Sequence, residues 1–476
     1  MYTFQKNRSN SFFALLSLPS TAMGFALSIQ ISALSWILTT QYKLDIHDVG
    51  LVWAAGPLAG ILGQVIIGIV SDKVWFWNGR RRPFILIGGV LAALSLLALP
   101  NLDVISASLG VGGILGVAIA VALTLDLSIN VSFNPTRSLI ADVTDPGDER
   151  TKGYTWMQSI SGTFGVLAYA IGAVFNNYIL IYGGAVIVLL FSVIPTLFIT
   201  EPKEIKNDSP GDKASETGRQ GSEDSLINML LAIRPLWGFL VYDIYAMGRR
   251  LMGVEPADYY AEIACGVMTV ILVIQAILEK NGSKADGLAA FRKVIAAHSF
   301  SWIGIQTTFV FLFAFLQQSM PQLTDIEMGR VGSMSFLVLN AVGALLPALV
   351  LMPMAKRIGR IKTHVICMAF MTAGYVGLYW SASSPLHIYM LMAVLGIGWA
   401  AIVSLPFAIV SQKVSEARMG LYMGLFNLSV VLPQLVVSLG VALMISRAPD
   451  KSIIFAISAA SLALSTLAWS FVREDN

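Results

Sequence analysis

Apolar runs of about 20 residues recur along this chain, separated by short polar stretches, and a run of that length crosses a bilayer as one helix. Hydrocarbon offers no water to satisfy backbone N–H and C=O groups, so such a chain folds as helices that close their own hydrogen bonds. Composition agrees. Only 12% of residues are charged and 56% are hydrophobic, against about 25% charged in soluble domains. The sequence therefore predicts an all-α polytopic membrane protein. A net charge of +3 is too small to argue for a nucleic-acid partner. The two cysteines, Cys265 and Cys367, lie in apolar segments, so no disulfide framework is implied. Lys6 and Arg8 precede an apolar run too long for a signal-peptide core, which reads as a retained first helix. No HExxH, GxSxG or P-loop pattern occurs, so the sequence points away from an enzyme and implies no cofactor or metal.

The runs fall into two sets of six. The first set is predicted at residues 12–38, 49–71, 83–98, 112–141, 154–175 and 180–200; the second at 299–317, 331–354, 363–382, 386–410, 420–445 and 453–471. A basic loop follows the second helix of each set: Asp72-Lys73 with Gly79-Arg80-Arg81-Arg82-Pro83, and Lys356-Arg357-Ile358-Gly359-Arg360-Ile361-Lys362. Two six-helix sets with a matching loop are an internal repeat of the parallel kind, which encloses a site near the midplane. Three domains follow: residues 1–200, a central linker at 201–297, and 298–476. Within the linker, residues 201–224 are polar enough to read as disordered. Two apolar stretches, 226–247 and 259–278, come next, flanked on both sides by lysines and arginines. Parity requires both to cross or neither; two extra hydrophobic crossing helices are the favoured reading, with surface-lying amphipathic helices as the alternative. Most remaining Lys and Arg fall on one side of the twelve-helix map, which places both termini in the cytoplasm. Deleting Asn207–Ser222 is expected to leave function nearly intact, because the segment is too polar to pack; large loss of function at normal membrane expression would show the opposite.

One segment carries chemistry. Asp126 stands with no other charge within ten residues on either side, and an ionisable group inside a span is read as functional by default. Arg137 follows eleven positions later, about three turns or roughly 16 Å along a helix. Should the helix continue past Pro135, both lie on one face. A packing acid is the competing reading of Asp126; for Arg137 it is pairing with Asp142 or Glu149.

The stretch from Gly56 to Gly89, with a Gly-Pro, a Ser-Asp, a widened loop and Gly-Arg-Arg-Arg-Pro-Phe-Ile, resembles the plant sucrose transporters and their bacterial and animal relatives. These are proton-coupled sugar symporters of the major facilitator superfamily. The resemblance continues at Leu125-Asp126, Asn130, Pro135, Arg137 and Ala141-Asp142, and returns at Leu405-Pro406-Phe407-Ala408, Gly424-Leu425-Phe426-Asn427-Leu428 and Pro433-Gln434. It implies the major facilitator fold of two six-helix bundles, with helices 1, 4, 5 and 7 lining the cavity. One departure stands out. Plant members carry acids in helix 7 after a Ser-Trp; here Ser301-Trp302 is followed by Ile303-Gly304-Ile305-Gln306-Thr307-Thr308. Asp126 is thus the only acid well inside the twelve-helix core.

The reading that follows is proton-coupled uptake of a disaccharide, an α-glucoside such as maltose or sucrose. Asp126 and Arg137 are the proton-coupling candidates. A sugar needs paired donors and acceptors plus flat apolar faces, and Gln30, Asn130, Gln158, Trp302, Gln306, Thr307 and Asn427 are the substrate-binding candidates. Asp72, Arg80, Arg81, Arg82 and Asp142 are the gating candidates. Trp36 and Trp53 read as an outer aromatic belt, and His298 as an interfacial residue at the cytoplasmic mouth of helix 7. The partners are sugar, proton and membrane lipid; the chain reads as a monomer in a bacterial inner membrane. Two alternatives remain: an exporter of sugar or drug with the same fold, and a sugar-binding membrane sensor that moves nothing.

Overall fold

Helices account for nearly all of the regular structure in a computed structural model that describes residues 5, 7–60, 74–145, 147–202, 226–254, 259–279, 286–413 and 419–473. The end of the second predicted helix, with Asp72, and the polar stretch 203–225 lie outside the described residues. Among the described residues, twelve helices are long and apolar enough to cross a membrane. Eleven match spans of the two predicted sets of six; the twelfth, Tyr260–Leu278, matches the predicted crossing at 259–278 in the insertion, whose other stretch, 226–247, gives no such helix. The chain divides into two compact units, Met1–Ile205 with Met320–Leu337, and Lys206–Ser319 with Val338–Asn476.

The first unit holds α1 (Asn10–Thr40), α2 (Ile46–Trp53), α3 (Arg82–Leu109), α4 (Ile114–Val143), α5 (Asp148–Val174) and α6 (Asn177–Phe198). Helix α2 starts on Asp45, whose Oδ1 accepts from the Asp48 N–H at 2.8 Å. Helix α1 packs on α5 and α6, and α3 on α4 and α6. The α3 contacts are close because two glycines let the backbones meet. A Cβ on Gly88 would stand 2.6 Å from the Ser128 carbonyl of α4, and one on Gly89 would overlap Ser192 of α6. Pro135 leaves α4 unbroken, so Asp126 and Arg137 share one continuous helix. The polar stretch after it is mostly helical: α4 runs to Val143 and α5 begins at Asp148.

The second unit holds α7 (Trp237–Leu251), α8 (Tyr260–Leu278), α9 (Leu288–Ser319), the later part of α10 (Asp325–Ile358), α11 (Arg360–Ser381), α12 (Pro385–Gln412), α13 (Leu421–Arg447) and α14 (Ile453–Ser470). Here α9 packs on α13 and α14, and α11 on α12 and α14. Counted within each set of six, the first helix meets the fifth and sixth, and the third meets the fourth and sixth, in both units. The repeat seen in the loops is a repeat of packing.

The first apolar stretch of the insertion is not one helix. Pro235 cannot donate to a helix interior, and the chain passes from Leu226–Ala232 through a tight turn, Arg234–Leu236, into α7. Helices α7 and α8 form a hairpin. At its base Glu279 pairs with Arg292 at 2.6 Å and Arg234 at 3.6 Å; at its tip the Arg447 guanidinium donates to the Tyr259 hydroxyl. Ile263, Val267, Val270, Ile271, Ile274 and Leu278 of α8 are exposed, a helical stripe suited to lipid.

Two aromatic assignments are corrected. Trp36 is 1% exposed and donates to the Asp325 carbonyl at 2.7 Å; Trp53 is 7% exposed and donates to the Ser35 hydroxyl at 2.7 Å. Both are interior hydrogen-bonding groups rather than belt residues, because each indole N–H finds a protein acceptor.

Candidate functional site

Asp126 lies on the buried side of α4, enclosed by α1 and α2. Its side chain is 6% exposed, and Gln30 Nε2 donates to its Oδ2 at 2.9 Å. Gln30 opens a π-helical turn, Gln30–Leu34, inside α1. Such turns widen the backbone locally and aim a side chain off the regular helical positions. On the facing side comes Gly56, where a Cβ would stand 3.2 Å from Asp126 Oδ2. The carboxyl fits because that position has no side chain. Asn130 folds back along α4 and donates to the Asp126 carbonyl at 2.8 Å. Gln30, Asp126 and Asn130 are therefore brought together.

Arg137 is brought to a different place. It is exposed on the same helix, its guanidinium 4.7 Å above the Phe133 ring, and Tyr154 of α5 donates to its carbonyl at 3.0 Å. The two acids weighed as its partners pair elsewhere: Asp142 with Arg81 at 3.1 Å, and Glu149 with Arg8. Gln158 is exposed on α5 in a polar row with Thr155, Ser159 and Thr163. Amides and hydroxyls left uncovered on a membrane helix are costly against lipid. The Thr155 and Thr163 hydroxyls donate to carbonyls one turn back on their own helix, at 2.8 Å each.

In the second unit Trp302 donates through Nε1 to His298 Nε2 at 2.9 Å. Gln306 is 3% exposed and accepts from Gln434 at 3.2 Å. Gln306 of α9 and Gln434 of α13 thus form an amide pair across two helices. Thr307 is fully buried, its hydroxyl donating to the Ile303 carbonyl at 2.7 Å and keeping its acceptor lone pairs. Asn427 is half-buried beside Phe426. His298 is corrected: it is completely buried and stacked on Phe426, with ring centroids 4.8 Å apart, and is not at an interface.

The basic run is organised around a residue the sequence reading missed. Glu201 Oε2 accepts from the backbone N–H of Arg80 at 2.7 Å and of Arg81 at 2.9 Å, and its Oε1 from that of Arg82 at 2.6 Å. Glu201 is 6% exposed. It is the first turn of α3 that it caps, so it belongs to the first bundle rather than to a disordered linker. A carboxylate following an apolar helix looks like any linker acid in sequence; only the return of the chain to α3 reveals its use. Asp243, the acid within the first apolar stretch of the insertion, lies on α7 at 3% exposure, and its carboxylate oxygens have no hydrogen-bond partner among the described residues. Ligand atoms of Asp45, His47 and Asp48 lie within 4.8 Å of one another, with Asp45 engaged as a helix cap.

The sequence profile of the Major Facilitator Superfamily matches residues 16–438. The sucrose transport protein SUC4 of Arabidopsis thaliana is 25% identical over 495 aligned residues, covering 90% of this chain and 83% of that protein. The general alpha-glucoside permease of Schizosaccharomyces pombe is 32% identical over 174 residues, which cover 33% of this chain and only 31% of the permease. Among solved structures, the nucleoside transporter NupG aligns with a TM-score of 0.59 at 13% identity, over 98% of this chain and all of that one. The POT family transporter PepTSo aligns with a TM-score of 0.64 at 13% identity, over 97% of each chain. At these identities the structural likeness establishes the fold alone.

Proposed function

Because the chain belongs to the Major Facilitator Superfamily, and so is an integral membrane transporter rather than an enzyme, we propose that it imports a disaccharide, of the maltose or sucrose class, coupled to protons. The observation that carries the reading is the buried Asp126–Gln30 pair in a chain whose relatives include sucrose and α-glucoside carriers. Asp126 carries the proton. A protonated carboxyl donates as well as accepts, so gain of a proton changes which partners it can satisfy. That difference between states is what coupling requires. Gln30, Asn130, Gln158, Trp302, Gln306 and Asn427 supply hydrogen bonds and ring faces to the sugar. Arg137, exposed along the helix that holds Asp126, supports coupling through its charge. Arg81 and Asp142, with Arg80 and Arg82 held on Glu201, form a cytoplasmic latch that favours one access state; Asp72 is proposed for the same latch from sequence alone. We take the functional unit as a monomer in a bacterial inner membrane.

Radiolabelled maltose or sucrose and sealed vesicles test the proposal. Accumulation above the outside concentration under an inward-directed proton gradient is expected. Binding without accumulation would favour the sensor, and proton-driven efflux the exporter.

Of the hairpin, α8 alone is long and apolar enough to cross by itself; we propose that the 15-residue α7 crosses with it. The hairpin base lies beside Arg292, on the side rich in Lys and Arg, while its tip reaches Arg447, which follows a span of the opposite polarity. Met252, at that tip, is 73% exposed. A Met252→Cys substitution is expected to be labelled from outside in intact cells, and an Arg80→Cys only after permeabilisation; the native cysteines are buried. The reverse pattern would invert the topology, and labelling of both from inside would lay the hairpin on the cytoplasmic surface.

A further inference from the structure

Two indole N–H groups in the second unit, those of Trp302 and Trp399, are spent on side-chain acceptors inside the protein. Trp302 donates to His298 Nε2 at 2.9 Å and Trp399 to Asn340 Oδ1 at 3.1 Å. The rings themselves are only half-buried. They stand 6.1 Å apart between centroids at 78°, and Phe309 braces Trp399 from a further side at 5.4 Å. A tryptophan whose N–H is already engaged has no hydrogen bond left to give. What it offers a ligand is its face. Pyranose rings present C–H faces between hydroxyl edges, and an aromatic face covers a C–H face without competing for the hydroxyls. Two indoles held nearly perpendicular offer two such faces in different planes. That arrangement suits a ligand of two rings that are not coplanar.

His298 is the fixed point. It is completely buried, so it cannot itself touch a sugar. It stacks on Phe426 with ring planes 21° apart, which fixes the imidazole plane, and it precedes Trp302 by one helical turn on α9. Its Nε2 acceptor then sets the rotation of the indole. We infer that His298 is a positioning residue for a carbohydrate-stacking platform made of Trp302 and Trp399. The inference rests on the sugar-transport reading above and extends it: the second bundle recognises the apolar faces of a disaccharide, while hydroxyl recognition falls to amides.

The test measures maltose and sucrose binding by calorimetry on the full chain in detergent, together with the sugar-dependent change in tryptophan emission. His298→Leu keeps an apolar filler but removes the acceptor; His298→Gln restores an acceptor near the Nε2 position. Affinity is expected to fall about tenfold in His298→Leu and to return to within about twofold of wild type in His298→Gln. The maximal uptake rate should change little in either. Trp399→Leu should lose the emission change and bind at least about tenfold more weakly. Should His298→Leu fail to fold, Trp302→Phe, which keeps a ring but has no N–H to tether, carries the same expectation. Wild-type protein that binds neither sugar overturns the transport reading and this inference together. Wild type that binds, with His298→Leu or Trp302→Phe binding equally well, overturns this inference alone. So does a folded His298→Gln as weak as His298→Leu.

Discussion

Replacing Asp126 with asparagine is expected to abolish sugar accumulation driven by a proton gradient while leaving sugar exchange in place. The side chain sits 6% exposed against Gln30, and asparagine has its shape. An amide still offers an oxygen to Gln30 Nε2, so the local packing of α1, α2 and α4 is kept. What the variant lacks is a group that gains and loses a proton. A gradient can drive a carrier only through a state that differs in affinity for the driving ion. In vesicles containing Asp126→Asn, labelled sugar should therefore equilibrate to an inside-to-outside ratio of about one, and counterflow of labelled against unlabelled sugar should persist. If those vesicles still concentrate sugar when only protons are supplied, Asp126 is a packing residue and coupling lies elsewhere. Arg137→Lys adds information. A mild effect would mean that charge alone matters there, and a severe one that the fork geometry of the guanidinium is used.

The second large effect is expected at Glu201. Its two carboxylate oxygens accept three backbone N–H groups at the start of α3, at 2.6 to 2.9 Å. Those N–H groups have no partner within the helix. Glu201→Ala leaves them unsatisfied beside Arg81, which is itself 6% exposed and tied to Asp142. Loss of a charged acceptor from buried donors costs on the order of 3 kcal/mol. The variant should unfold several degrees below wild type in detergent, and Glu201→Gln, which keeps one good acceptor oxygen, should fall between. An unchanged unfolding midpoint in Glu201→Ala would mean that another acceptor replaces the carboxylate and that the cap is dispensable.

The helices were legible because hydropathy is local. Residues 12–38 as predicted and Asn10–Thr40 as observed differ only at the ends, where caps such as Ser9 decide the boundary. Local patterning was weaker where one residue breaks a run. The apolar stretch 226–247 looked like a single span, and Pro235 divided it. The polar stretch after α4 looked like a loop, yet α5 starts at Asp148 within it, because acids are favourable in a first turn.

The site divides along the same line. Asp126 stood out because an acid within an apolar span is conspicuous by composition alone, and the resemblance to sucrose transporters rested on short motifs. The sequence by itself determined the fold class and the two sets of six helices, and singled out Asp126 as an acid within an apolar span. Which groups meet that acid did not follow. Gln30 reaches it across 96 positions, and Glu201 reaches Arg80 across 121. Trp36 and Trp53 read as interfacial because tryptophan is common there, and His298 because of its place at the start of an apolar run; each proved interior, the two indole N–H groups and the His298 Nε2 meeting partners on another turn or helix. Only the tertiary structure decided these pairings. Hydropathy sets whether a segment enters the membrane, whereas hydrogen-bond satisfaction inside it depends on helix neighbours, on backbone approach at Gly56 and on the π-helical turn at Gln30, none of which is encoded within a single span.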